Sequence, residues 1–133
     1  MIVVFSACTK IGVKGRYNYI RTIKSMNCNK LFILDDFGYD SRGLFYLGEN
    51  NKFEVATAVK ELISQIANKY NINQRIYVGS SKGGYASLYF GLDDNGSVII
   101  AGAPQYYLNF YLNDAKDHKR LLQICRDHSK NIK

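Results

Sequence analysis

The stretch Val78-Gly79-Ser80-Ser81-Lys82-Gly83-Gly84-Tyr85-Ala86 holds the arrangement in this sequence best suited to turning an ordinary side chain into a nucleophile. It contains G-x-S-x-G with Ser81 at the centre, between a β-branched run and a segment of helical character. A serine at a sharp strand-to-helix turn adopts strained backbone angles. The residues two before and two after it must then be tiny for the helix to approach the strand. Gly79 and Gly83 meet that need, and Gly84 adds a third small residue. The turn also puts Ser81 at a helix N-terminus, where free N–H groups and the helix dipole favour a developing oxyanion. The Lys82 N–H would be one donor, and the second would come from the loop after the first strand, at Ala7 or Cys8. The same glycines suit a turn that only packs tightly or cradles a phosphate, although the order G-x-x-x-x-G-K-S/T that wraps nucleotide phosphates is absent.

The elements that must position this turn are legible as runs and periods. Ile2-Val3-Val4-Phe5, Leu31-Phe32-Ile33-Leu34, Arg75-Ile76-Tyr77-Val78 and Ser97-Val98-Ile99-Ile100-Ala101 lack alternation, as strands buried on both faces do. Tyr17, Ile20, Ile23 and Met26 recur every three residues and predict a short helix. Val55, Val59, Leu62, Ile63, Ile66 and Tyr70 mark one stripe of a helix of four turns, the clearest period in the chain. Residues 83–91 read as a short helix, and Ala115, His118, Leu121, Leu122 and Cys125 as one face of a terminal helix from Asn113 to His128. Between the second strand and the long helix, Gly38, Gly43 and Gly48 with Phe45 and Tyr46 predict an ordered surface loop.

Length and composition fit one domain spanning 1–133: 47% of residues are hydrophobic and 22% charged, too apolar a balance for a disordered chain. No run approaches a membrane span. Three widely separated cysteines, Cys8, Cys28 and Cys125, match neither a disulfide framework nor a metal knuckle, which points to a reducing, cytoplasmic home. The net charge of +7 divides into +6 over 1–34, −3 over 35–115 and +4 over 116–133. No recognition motif accompanies the basic ends, so nucleic acid is not the expected partner. Nothing in the residue pattern calls for a metal or a cofactor.

Strands alternating with helices predict a three-layer α/β/α fold around a mostly parallel four-stranded sheet. The economical strand order is 2-1-3-4, with a ligand crevice between strands 1 and 3 at their carboxyl ends. Five blocks then become informative together: Val4-Phe5-Ser6-Ala7, Arg16-Tyr17-Asn18-Tyr19, Leu34-Asp35-Asp36-Phe37-Gly38, Gly79-Ser80-Ser81-Lys82-Gly83-Gly84 and Gly102-Ala103-Pro104-Gln105. They resemble the α/β-hydrolase-like core of the XcbB/CpsF capsular polysaccharide biosynthesis family. More distantly they look like the Asp-two-type accessory secretion proteins that act on glycosylated adhesins. The resemblance covers most of the chain. It implies bacterial surface-glycan assembly, a serine acyltransferase or esterase-type site at Ser81, and a glycan or acylated small molecule as substrate. Against that pattern the chain looks abbreviated: the family's acid and histidine would follow later strands, and only His118 and His128 follow the fourth strand here. An uncovered sheet edge in such a form predicts self-association.

The other candidates have two readings each. His118 could be the general base or a packed side chain on the terminal helix, and Asp114 could orient a histidine or cap that helix. Asp35 and Asp36 end strand 2, where they could act as acid and base or hold a metal, with Asp36 near substrate; one of them could instead accept N–H bonds from the following loop. Lys82 could meet an anionic group or stay solvated. Gln105 could reach substrate or only make a turn, and Tyr106, Tyr107, Phe110 and Tyr111 could stack on sugar rings or pack. The two functional classes are a serine acyltransferase or esterase, and a binding or assembly module that keeps the fold without a complete triad.

Overall fold

A computed structural model describes residues 1–114 and 117–125. Among the described residues, strands β1 (Ile2–Phe5), β2 (Lys30–Ile33), β3 (Ile76–Ser80) and β4 (Val98–Gly102) form one parallel sheet in the order β2-β1-β3-β4. The expected fold class and strand order are those observed. The helices are α1 (Glu54–Lys69), α2 (Lys82–Gly91), α3 (Leu108–Asp114) and α4 (His118–Ile124). The predicted terminal helix is therefore two shorter ones. Asp114 ends α3, and Asp117 takes the N-terminal position of α4.

Connection handedness decides what covers each face. With right-handed crossovers, β2 to β3 and β3 to β4 run one way across the sheet and β1 to β2 runs the other, so α1 and α2 share a face. The packing agrees: Val59 and Ile63 of α1 and Ala86 and Phe90 of α2 meet Val3, Phe5 and Tyr77 in one buried cluster. Phe5 stacks on Phe90 at 5.3 Å between ring centroids. The chain secures α1 at both ends. Glu54 and Lys69 match the dipole, and the Asn71 and Ile72 N–H groups return to the Asn68 and Ala67 carbonyls, closing the helix with a left-handed Asn71.

The opposite face is covered by residues 17–28, which make turns instead of the predicted helix. A step of three residues falls short of a full helical turn, so Tyr17, Ile20, Ile23 and Met26 would drift around a helix. Only Ile23 is buried, against Ile2 and Val4, while the other three are exposed. This segment leaves β4 open. Val98 and Ile100 are 44% and 56% exposed, which corrects the expectation that every strand is buried on both sides.

The loop between β2 and α1 also departs from expectation. Leu44, Phe45, Tyr46 and Leu47 lie in the core, not on the surface. What draws the loop inward is an ion pair. Lys82, at the start of α2, is fully buried and donates from Nζ to Asp35 Oδ2 (3.1 Å), to the Asp35 carbonyl (2.6 Å) and to the Arg42 carbonyl (2.7 Å). Asp35, also fully buried, accepts the Leu44 and Tyr46 N–H groups at 3.1 and 3.0 Å. Gly43, at φ +101, passes so close that an added Cβ would strike Lys82 Nζ. A second set of charges ties the loop to α4: Arg120 donates to Asp40 (2.7 Å) and Asp117 (2.6 Å), and Arg42 to Asp40 (2.6 Å).

Two outcomes are expected. Lys82→Met leaves Asp35 buried and uncompensated and should lower the unfolding free energy by about 3–5 kcal/mol in urea titrations. Lys82→Met combined with Asp35→Leu should recover part of that loss but not all, because the Leu44 and Tyr46 N–H groups then lack an acceptor. The second concerns acid. Burial alone would raise the Asp40 pKa, but hydrogen bonds from Arg42 and Arg120 outweigh it and hold the carboxyl below its ordinary range. Asp94 is held low by its hydrogen bond from Arg75. A carboxylate depressed on folding contributes stability above its unfolded pKa that disappears as pH falls through the folded one. The thermal midpoint should thus be level at mildly acidic pH and drop below about pH 4, and the drop should be shallower in Arg120→Met.

Candidate active site

Ser81 is the residue between β3 and α2, with φ 54° and ψ −121°. Those angles strain a residue with a Cβ, so the surrounding packing must hold them. The Ser81 N–H donates to the Gly102 carbonyl at 2.9 Å, and its own carbonyl accepts the Tyr85 N–H at 3.0 Å. The glycines around it do the work that their spacing foretold. A Cβ at Gly79 would overlap the Gly83 carbonyl, one at Gly83 would lie 2.5 Å from the Phe5 carbonyl, and one at Gly84 would lie 2.9 Å from the Gly102 carbonyl. Contacts this close put the first turn of α2 directly against the carboxyl ends of β1, β3 and β4.

The β1 end continues into the loop Ser6-Ala7-Cys8, whose start lies against Gly83 through the Phe5 and Ser6 carbonyls. It is held from beneath. Tyr46 places its hydroxyl 2.7 Å from Ser6 Oγ, accepts the Ser6 N–H at 2.5 Å, and donates toward the Ile33 carbonyl at 3.1 Å. Burial pushes the Tyr46 phenol well above its ordinary pKa, so it remains a neutral donor. Ser6 Oγ also accepts the Asp35 N–H at 3.2 Å. The β1 loop, the β2 end and the start of α2 are thereby joined through Tyr46, Asp35 and Lys82.

Of the expected oxyanion donors, the Ala7 N–H is engaged: it donates to Asn18 Oδ1 at 2.7 Å. The Cys8 and Lys82 N–H groups have no acceptor among the described residues. Lys82 itself is placed otherwise than expected. Its side chain neither meets solvent nor reaches a ligand, because it is spent on Asp35 and Arg42, and burial lowers its pKa despite the attraction of Asp35. Asp35 accordingly takes the structural reading and accepts N–H bonds from the loop. Asp36 is exposed, with its Cβ close above Gly15.

Beside Cys8, a cleft of about 230 Å³ opens between Arg42, Tyr39, Phe45, Tyr111 and Arg120. Arg42 Nη1 donates to the Thr9 carbonyl at 3.1 Å and approaches Cys8 Sγ at 3.6 Å. The arginines are balanced by Asp40 and Asp117, so the cleft is polar without a strong net charge. On the other side of Ser81, Gln105 is half-buried and Tyr106 exposed. Among the described residues none hydrogen-bonds to the Ser81 hydroxyl. The backbone of His118 opens α4, while its side chain and His128 lie outside the described residues.

Sequence reasoning missed Asn18, Tyr46 and the Arg42–Asp40–Arg120–Asp117 cluster as parts of this region. Asn18 and Asp35 do stand in the blocks that carried the family resemblance, yet their partners lie 11 and 47 positions away. No local pattern announces such pairs.

No family model matches the chain, and no curated protein does. Solved structures do. The capsule O-acetyltransferase of Neisseria meningitidis serogroup A superposes with a TM-score of 0.68 at 28% identity, over 90% of this chain and 49% of that one. Its form in complex with caged gadolinium gives 0.63 at 29% identity, over 92% and 52%. A histidine-to-alanine mutant of it in complex with CoA gives 0.61 at 29%, over 85% and 46%. The likeness bears out the capsule-related α/β architecture implied by the sequence, but not the particular family named there. This chain spans about half the length of the solved proteins that share its fold.

Proposed function

We propose that this chain carries the acyl-transfer serine of a capsule-directed O-acyltransferase, with Ser81 as nucleophile. The observation that carries this reading is the likeness to a capsule O-acetyltransferase over nine-tenths of the chain. The position of Ser81, strained and at the head of α2, supports its role. The donor is an acyl thioester of the coenzyme A class, a choice supported by the CoA complex of the neighbour.

In the first half-reaction Ser81 Oγ attacks the thioester carbonyl, and its proton passes to a base. The C–O bond forms, the carbonyl oxygen gathers negative charge, and the Lys82 and Cys8 N–H groups are the proposed donors to it, a role supported by their lack of another acceptor among the described residues. Collapse breaks the C–S bond and the thiol leaves with the proton. In the second half a hydroxyl of the glycan attacks the acyl-serine and gives up its proton to the same base. The acyl group moves to the sugar oxygen, and Ser81 recovers its proton. His118, at the start of α4, is the base candidate within this sequence. The three cysteines are free, which supports a reducing, cytoplasmic setting. No helix among the described residues is long and apolar enough to cross a membrane.

A second reading, a binding or assembly module that retains the fold, is favoured by one observation: none of the described residues hydrogen-bonds to the Ser81 hydroxyl. A fluorophosphonate probe separates the two. Without a positioned base, catalysis is limited to what the oxyanion site and binding provide, about 10³ to 10⁴ over water. Labelling that vanishes in Ser81→Ala is the result expected for the acyl-transfer reading. Its loss in His118→Ala would assign that histidine as the base, its survival there would remove His118 from that role, and no labelling at all would leave the module. The exposed β4 face carries a further expectation. The chain should associate with increasing concentration in sedimentation velocity, and Ile100→Lys should return it toward monomer without loss of thermal stability.

A further inference from the structure

The chain leaving β4 crosses the head of α2 before it enters α3. Gly102 accepts the Ser81 N–H, and Pro104 packs so closely on α2 that a Cβ at Gly84 would lie 3.3 Å from its Cα. Ala103 between them is held at φ +42°, and the Tyr106 N–H closes a turn onto the Pro104 carbonyl at 3.0 Å. Tyr106 is four residues beyond Gly102, so its backbone lies within roughly 14 Å of that anchor.

From Gly102 to Asn113 this segment has no charged residue, in a chain of net charge +7. Its side chains are aromatic or carboxamide wherever they are large and polar or flat. Tyr111 packs against Phe45, with ring centroids 6.3 Å apart. The other aromatics turn outward: Tyr106 is 63% exposed, and Tyr107 and Phe110 are each 75% exposed. The Tyr106 and Tyr107 rings stand at 89° with centroids 5.0 Å apart, an open corner above a shallow depression shared with Asn109 and Phe110. Gln105, between this corner and Ser81 in the chain, leaves its Oε1 without a donor among the described residues.

We propose that Tyr106, Tyr107 and Phe110 form a stacking platform for a sugar ring of the acceptor glycan, next to Ser81, and that it reads an uncharged ring face. The proposal rests on the acyl-transfer reading of Ser81. A pyranose offers a face of C–H bonds and a rim of hydroxyls. Aromatic faces, electron-rich above the ring, attract the first, and the exposed carboxamide of Asn109 exchanges hydrogen bonds with the second. A phosphate or carboxylate would find no cation within the segment. An ionic acceptor group must therefore lie elsewhere, and the platform discriminates by ring shape.

The test uses the whole chain with maltotriose and chitotriose as neutral probes, and tri-galacturonic acid for comparison. Saturation-transfer NMR should show transfer to ring C–H protons of a neutral trisaccharide, unaffected by salt. Tyr107→Ser with Phe110→Ser should weaken that binding about ten-fold, with an unchanged circular dichroism spectrum because both residues are exposed. No transfer from any neutral probe would overturn the platform. So would binding of the acidic probe alone, or a double variant that abolishes self-association while sugar binding is unchanged, since the aromatics would then be a protein interface. Phosphonate labelling of Ser81 in the unaltered chain is read alongside. Labelling without sugar transfer overturns the platform alone, whereas sugar transfer without labelling overturns the role of Ser81 and supports a sugar-binding surface.

Discussion

Lys82 follows the serine in the chain, and its ammonium ends 3.1 Å from Asp35 Oδ2 with neither group open to solvent. A pair so enclosed is a poor source of stability, because desolvating two ions offsets most of their attraction. Its effect is to specify position. One cation at the head of α2 captures the end of β2 and the Arg42 carbonyl, and the carboxylate it neutralises captures two N–H groups of the loop. Tyr46, carried inward by that loop, then fixes Ser6 and with it the start of the loop after β1. The β1 loop and the start of α2 are thus set relative to one another through one buried charge pair. An apolar substitute could fill the space, but it could not orient four backbone groups at once.

The second constraint is the hand of the crossovers. Because α1 and α2 lie on one face, that face is roofed, with Phe90 of α2 and Tyr77 each stacked on Phe5. The other face has only the 17–28 segment, which covers β1 and leaves Ile100 and Val98 in solvent. Sheets seldom leave a parallel edge and an apolar face open together.

What the sequence by itself determined is the local part. The four apolar runs are strands because β-branched and aromatic residues suit extended backbone, and their shifts are confined to one or two positions at the ends. The G-x-S-x-G spacing determined that Ser81 turns between β3 and α2, since only residues without a Cβ permit Gly79, Gly83 and Gly84 to sit where they do. The long period determined α1, although Leu62 and Tyr70 point outward while Ala56 and Ala67 complete the buried line.

Only the tertiary structure decided the rest. Whether Lys82 meets solvent or a carboxylate depends on Asp35, 47 positions away, and charge alone does not distinguish the two. Whether Phe45 and Tyr46 form a surface loop or core depends on that same pair, because glycine-rich loops are drawn inward only where their N–H groups find a buried acceptor. The three-residue spacing of 17–26 suggested a helix that the sheet did not need, since one side chain, Ile23, sufficed to cover Val4. Local patterns report what a segment can form by itself. Which partner satisfies a buried charge, and which face meets solvent, are settled by contacts between residues far apart in the chain, and those exist only once the sheet has assembled.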